Sequence, residues 1–167
     1  IPQPGTTRQL DILSYRQRPL HRLAYRNFGS HESLVTNQSV EAVTGMAGIR
    51  WWEIRNPSTT PIVFQEGTYA PGATDGIHRW MGSIAQDGAG NMALGYSVSN
   101  ASVPPGIRYT GRLVTDTPGM MPRGEGTFVN GVGSKTNSER WGDYTSINVD
   151  PSDDCTFWYV NQYFPNA

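Results

Sequence analysis

Apolar and polar residues alternate along most of the chain in short runs, and clusters of turn-forming residues separate these runs. Alternation with a period of two indicates strands with one buried face, and no window keeps the period of a helix over three turns. Glycine, proline, asparagine and aspartate gather at turns such as 87–91 and 150–154. The pattern predicts an all-β protein. We expect strands near residues 21–28, 32–40, 48–55, 62–69, 79–86, 92–99, 106–114, 125–131, 143–149 and 155–163.

Three sequence segments recur in the same order about 60 residues further along the chain, which indicates an internal repeat. The shift between copies drifts while the order is kept, as divergent repeats with loop insertions would give. A weaker copy lies at 23–36. The matched pairs are 48–51 with 106–109, 67–69 with 126–128, and 79–84 with 140–147.

Each full repeat contains four predicted strands, which is the make-up of one blade of a β-propeller. We predict blades at 21–76 and 77–139 and half a blade at 140–167. In the N-terminal segment 1–20, the alternating run 9–15 is a candidate outer strand for a neighbouring blade. Stacked β-sandwiches are the alternative, but a seven-stranded sandwich would not repeat at four strands.

A count of about two and a half blades predicts an incomplete ring, because propellers usually close with about four to eight blades. The predicted half blade would leave an open sheet edge, which favours association. The remaining blades would come from the parent chain, from another chain or from further copies in a homo-oligomer.

The composition and net charge of the chain limit the kinds of molecule that it could bind. The net charge is −1, so no strong field would draw the chain to nucleic acid or to an anionic membrane. No apolar run approaches the roughly 20 residues of a membrane span. Cys155 is the single cysteine, which excludes an internal disulfide and a CxxC metal site. We therefore expect neither nucleic acid nor a membrane as a partner.

Candidate ligand-binding residues lie in two loops that lead into predicted inner strands, which line the channel of a propeller. Each loop carries an Arg-Trp pair. Arginine can hold a carboxylate through two hydrogen bonds, and an indole can cover a sugar ring. A repeated pair also fits a packing role in every blade, whereas Asp143 has no counterpart in the other copy. The candidates are His78, Arg79, Trp80, Arg140, Trp141, Asp143 and Tyr144.

The turn at 150–154 is a candidate calcium site, because Asp150, Asp153 and Asp154 offer the oxygen ligands that calcium prefers. The alternative is an Asx-turn, in which an aspartate accepts backbone hydrogen bonds. The matching turn of the preceding repeat carries only Asp87 and Asn91.

The stretches 78–97 and 140–159 resemble blades of the sialidase-like propeller superfamily, which occurs in large secreted bacterial proteins. The resemblance covers the chain from about Leu10 onward and implies a secreted or cell-surface bacterial protein. The turns at Asp87 and Asp150 do not match the full Asp-box of that superfamily, Ser-x-Asp-x-Gly-x-x-Trp. The arginines, tyrosine, glutamate and aspartate that sialidases use in catalysis cannot be assigned in this sequence.

Two functional hypotheses follow from the sequence. The first is a non-catalytic propeller segment that acts as a binding or structural module for a glycan or a protein partner. The alternative is part of a sialidase-like glycoside hydrolase whose active site the missing blades complete.

Overall fold

A computed structural model describes residues 1–12 and 17–166, and the strands within them pair antiparallel in three sheets. The first sheet has the order β1-β2-β3-β4, the second sheet β5-β6-β7-β8, and the third sheet consists of β9 and β10. The elements are β1 (Ala24–Asn27), β2 (Glu32–Val43), β3 (Met46–Arg55), β4 (Ile62–Tyr69), α1 (Gly72–Asp75), β5 (His78–Gln86), β6 (Met92–Ser99), β7 (Gly106–Arg112), β8 (Gly126–Val129), β9 (Ser146–Val149) and β10 (Phe157–Val160).

The predicted all-β fold with four-stranded antiparallel sheets is confirmed. Each of the ten predicted strands is present, and its ends differ from the prediction by three residues at most. The one element without a prediction is α1, a single helical turn that ends where Gly76 adopts a positive φ of 70°. Glycine takes this left-handed conformation at little cost. Within the described residues no sheet closes on itself.

The first and second sheets pack face to face around an apolar core. The strand β5 lies against β2 and β3 of the first sheet. Gly82 allows this close approach, since a Cβ atom there would lie 2.7 Å from Oδ1 of Asn37. The core includes Val35, Ile49 and Trp51 from the first sheet and Ile84, Met92, Leu94, Tyr96 and Val98 from the second.

The third sheet covers the other face of the second sheet. The ring of Tyr159 lies on Gly95, where a Cβ atom would be 2.7 Å from the ring, and it also stacks on Phe128 with centroids 6.2 Å apart. Neighbouring strand residues point to opposite faces. Trp158 and Val160 therefore face away from the second sheet, and they are 62% and 63% exposed.

The first strands of the three sheets, β1, β5 and β9, are adjacent, with β5 contacting both others. Because sheets cover β5 on both sides, all of its residues after His78 are buried. Each of these strands ends in an Asx-turn in which a side-chain oxygen accepts a backbone N–H two residues on. The acceptors are Asn27 (2.7 Å), Asp87 (2.9 Å) and Asp150 (2.8 Å). The sequence repeat is thus also a repeat in three dimensions.

The N-terminal segment runs along one end of the sheets. Leu10 is 1% exposed and packs with Trp80, Met81 and Trp141, and the Asp11 N–H donates to the Glu139 carbonyl at 2.8 Å. The predicted outer strand at 9–15 is not a strand over residues 9–12, and its remainder lies outside the described residues. Across the described part of the chain, we find no helix with the length and apolar character to cross a membrane.

Candidate functional site

A cavity of about 1000 Å³ opens at the end of the first sheet, next to the start of β5. Its walls come from the N-terminal segment, the turn between β2 and β3, the first residue of β5 and the loop that leads into β9. The residues that define this cavity include Arg8, Leu10, Asp11, Val40, Glu41, Met46, Ala47, His78, Thr136 and Glu139.

His78 lines the cavity with an imidazole ring whose Nδ1 is already used within the protein. Its Nδ1 accepts the backbone N–H of Ala47 at 3.2 Å. Burial lowers the pKa of His78 below its ordinary value, and the positive charges of the N-terminus and Arg79 add to this effect. The ring is therefore neutral at pH 7, and since Nδ1 is an acceptor, the proton lies on Nε2. The sequence analysis selected His78, and the structure places it in a cavity wall.

Carboxylates outnumber cationic side chains around the cavity. Asp11, Glu41 and Glu139 line it together with one arginine, Arg8. The Arg8 guanidinium lies 3.5 Å from Glu139, and Glu41 accepts the Gly45 N–H at 2.7 Å. The lining side chains thus carry a net charge of −2, from three carboxylates and one guanidinium. Sequence reasoning missed this grouping because its members are far apart along the chain.

Arg79 and Trp80 are enclosed by protein, with exposures of 1% and 0%. The Arg79 guanidinium donates to both Asp75 oxygens at 2.7 Å, to the Ile77 carbonyl at 2.6 Å and to both Glu125 oxygens at 2.9 Å. The packing alternative therefore describes this Arg-Trp pair, and neither residue lines the cavity.

Glu125 is the centre of an ion network between the first and second sheets. It accepts hydrogen bonds from Arg79, from Arg108 at 2.8 Å and from the Tyr96 hydroxyl at 2.7 Å. Burial acts to raise the pKa of Glu125, but the hydrogen bonds from Arg79, Arg108 and Tyr96 lower it below its usual range. Burial also raises the pKa of Tyr96 above its ordinary value.

The repeat contains a second copy of part of this network. Arg50 and Glu66 occupy the positions of Arg108 and Glu125 in the first sheet, and they form an ion pair of 2.5 Å. The side chains of Arg50 and Glu66 are 32% and 45% exposed, whereas those of Arg108 and Glu125 are 20% and 16% exposed. Sequence reasoning missed both pairs; a glutamate directly before each repeated glycine, Gly67 and Gly126, is the signal that could have found them.

The structure brings four further predicted residues together in a recess of about 290 Å³. Trp141 lines the recess, is 2% exposed, and donates from Nε1 to the Ser97 hydroxyl at 3.2 Å. Arg140 donates to Asp143 at 2.6 Å, and Tyr144 is 87% exposed at the rim. Trp141 is thus a packing residue, whereas Arg140, Asp143 and Tyr144 are accessible from one recess.

The three aspartates of the turn at 150–154 bind different protein donors. Asp150 accepts the Trp158 indole N–H at 2.9 Å as well as its Asx-turn bond. Asp153 accepts backbone N–H groups of the same turn, and hydrogen bonds, first that from Thr156, lower its pKa. Asp154 pairs with Arg26 at 2.6 Å. No cluster of three or more His, Cys, Asp or Glu side chains in the described ranges could hold a metal. The calcium site stays a prediction.

In comparisons with known proteins, no family model, no curated protein and no solved structure matches this chain. The resemblance to sialidase-like propellers therefore stays a prediction.

Proposed function

We propose that the chain is a segment of a sialidase-like β-propeller and acts as a non-catalytic binding or structural module for a glycan or a protein partner. The parent protein would be secreted or cell-surface and bacterial, as the sequence resemblance implies. The observation that carries the proposal is the serial packing of the three sheets with β1, β5 and β9 side by side. In a propeller, the first strands of successive blades line the central channel in this order.

The outer face of the first sheet supports the proposal of an incomplete ring. This face carries Tyr25, Arg50, Trp52, Val63 and Glu66, and Tyr25 and Val63 are 55% and 57% exposed. The equivalent face of the second sheet is covered by the first sheet, which shields its Arg-Glu pair. A further sheet of the same repeat would cover the outer face in the same way.

The far end of the chain supports the same proposal. The third sheet has two strands where the other sheets have four, and Trp158 and Val160 on its free face are exposed. Missing strands would extend β10, and a following sheet would cover these two side chains. Their source would be the parent chain, another chain or a second copy.

The binding role rests on the position of the cavity. The turn between the second and third strands and the loops into first strands form its walls. The non-catalytic role is supported by Arg79, whose guanidinium donors are used within the protein.

Light scattering of the isolated chain between about 5 and 200 μM tests the ring proposal. We expect reversible association that grows with concentration, because among the described residues no sheet covers the outer face of the first sheet or the free face of the third sheet, and no strand pairs with the outer edge of β10. The variants Val63→Lys and Val160→Lys should each reduce it, and Leu113→Lys, at an exposed position in a loop, serves as the control. A monodisperse monomer over the whole range would reject the proposal.

A further inference from the structure

The cavity beside His78 combines the features that a glycan site needs. Its volume of about 1000 Å³ accommodates an oligosaccharide. Val40 and Met46, both partly exposed, supply aliphatic surface for the apolar face of a sugar ring. Threonine hydroxyls and carboxylates supply hydrogen-bonding groups around that surface. The cavity thus offers both the apolar and the polar contacts by which a sugar is held.

The donors and acceptors match hydroxyl groups. The neutral imidazole of His78 carries its proton on Nε2, because Nδ1 accepts the Ala47 N–H, so Nε2 is available to donate to a ligand hydroxyl. Glu41 and Glu139 accept hydrogen bonds and donate none when ionised. A sugar hydroxyl can both accept from the histidine and donate to a carboxylate, so one ligand satisfies both kinds of group.

The charge of the cavity distinguishes between glycans. Its side chains carry three carboxylates and one guanidinium, and that guanidinium lies 3.5 Å from Glu139. The ammonium of Ile1 donates to the Leu10 carbonyl at 2.6 Å, and with it the carboxylates are still in excess. A ligand carboxylate or sulfate would be repelled in this environment.

We propose that this cavity binds neutral, hydroxyl-rich glycans and discriminates against sialylated and sulfated ones. This inference rests on the proposed binding function and names the ligand class for it. A preference for neutral glycans would also distinguish this chain from modules that recognise sialosides.

A glycan array of matched neutral and sialylated or sulfated oligosaccharides, including lactose and 3′-sialyllactose, is the first test. Calorimetry on the best neutral glycan and its sialylated counterpart follows. We expect the neutral member of the pair to bind at least about tenfold more tightly. Loss of the Nε2 donor in His78→Ala should weaken this binding about tenfold.

Two surface variants keep the test decisive if His78→Ala fails to fold. Glu41→Gln removes one cavity charge and should reduce the discrimination against the sialylated glycan about threefold. Glu66→Gln removes one charge on the outer face of the first sheet, away from the cavity, and should leave both affinities unchanged. Equal effects of these two variants would overturn the assignment of the site.

The glycan experiments and the light-scattering experiment test different proposals, so their outcomes can be told apart. Equal or tighter binding of sialylated glycans would overturn the ligand class and leave the binding function in place. Absence of binding to every neutral glycan of the array would overturn both glycan proposals. Neither result bears on the propeller segment, which the light-scattering experiment tests independently.

Discussion

Replacing Glu125 by glutamine should destabilise the protein far more than the same change at Glu66. Both glutamates precede a glycine of the repeat and pair with an arginine of the neighbouring strand. They differ in surroundings, because the first sheet covers Glu125 whereas Glu66 lies on the outer face. The Glu125 side chain is 16% exposed and the Glu66 side chain 45% exposed. The pair of variants therefore isolates the effect of burial.

The expected loss of folding free energy follows from the net charge that Glu125→Gln leaves in the network. Glu125→Gln changes the network of two arginines and two carboxylates from neutral to a net charge of +1. Loss of one partner of a buried ion pair costs about 3–5 kcal/mol. We expect about 3 kcal/mol, at the low end, because Asp75 continues to pair with Arg79. Glu66→Gln should cost less than about 1 kcal/mol, since solvent screens an exposed pair.

Urea unfolding followed by circular dichroism measures both free energies of unfolding. For a chain of this length, about 3 kcal/mol corresponds to a fall in Tm of about 6–12 °C. Equal losses for Glu125→Gln and Glu66→Gln, both below about 1 kcal/mol, would refute the reasoning. That result would mean that the covered network is as well screened as the exposed pair.

The same variant makes a prediction about pH. The pKa of Glu125 lies below its ordinary value of 4.5 in the folded protein. A carboxylate with a lowered pKa stabilises the fold above its unfolded pKa, and this contribution is lost as the pH falls through the folded value. The difference in stability between the native protein and Glu125→Gln should therefore be full at pH 7 and shrink below about pH 4. A constant difference from pH 7 to pH 3 would contradict this assignment.

Two further predictions concern the attachment of the third sheet. Arg26→Ala removes two hydrogen bonds to Asp154, of 2.8 and 2.6 Å. Amide hydrogen exchange should therefore become faster in β9 and β10 than in the native protein, and the change should be larger there than in β2 and β3. Unchanged exchange in β9 and β10 would contradict this prediction. Gly95→Ala places a Cβ atom about 2.7 Å from the Tyr159 ring, so it should destabilise the protein by about 1–3 kcal/mol in urea unfolding. The substitution Ala93→Ser on the same strand is its control, and an equal loss there would argue against the steric cause.

Local patterns were sufficient to predict the strands and their turns. Short strand-like runs bounded by turn residues located β4 and β6 to the residue, because the turn signals depend on near neighbours in the sequence and not on the sheets that pack against a strand. The turn residues Asn27, Asp87 and Asp150 could be found for a similar reason, since an Asx-turn is closed by neighbouring atoms.

The candidate site was predicted only in part. His78 lines the cavity as one of the selected residues, but its neighbours Arg79 and Trp80 are buried. A strand pattern does not reveal that both faces of β5 are covered, because this depends on sheets distant in sequence. For the same reason, the sequence did not indicate that Glu125 would meet Arg79.

The sequence by itself determined the all-β class, the four-strand repeat and the turns, because hydrogen bonds and side-chain alternation between near neighbours produce them. Only the tertiary structure decided which repeated residues are enclosed and which line a cavity. Burial and charge pairing depend on which sheet packs against each face. The repeat places the same residue types on a face of the second sheet that is covered and on a face of the first sheet that is open. Arg108–Glu125 and Arg50–Glu66 are the clearest case, with one local sequence pattern and two environments.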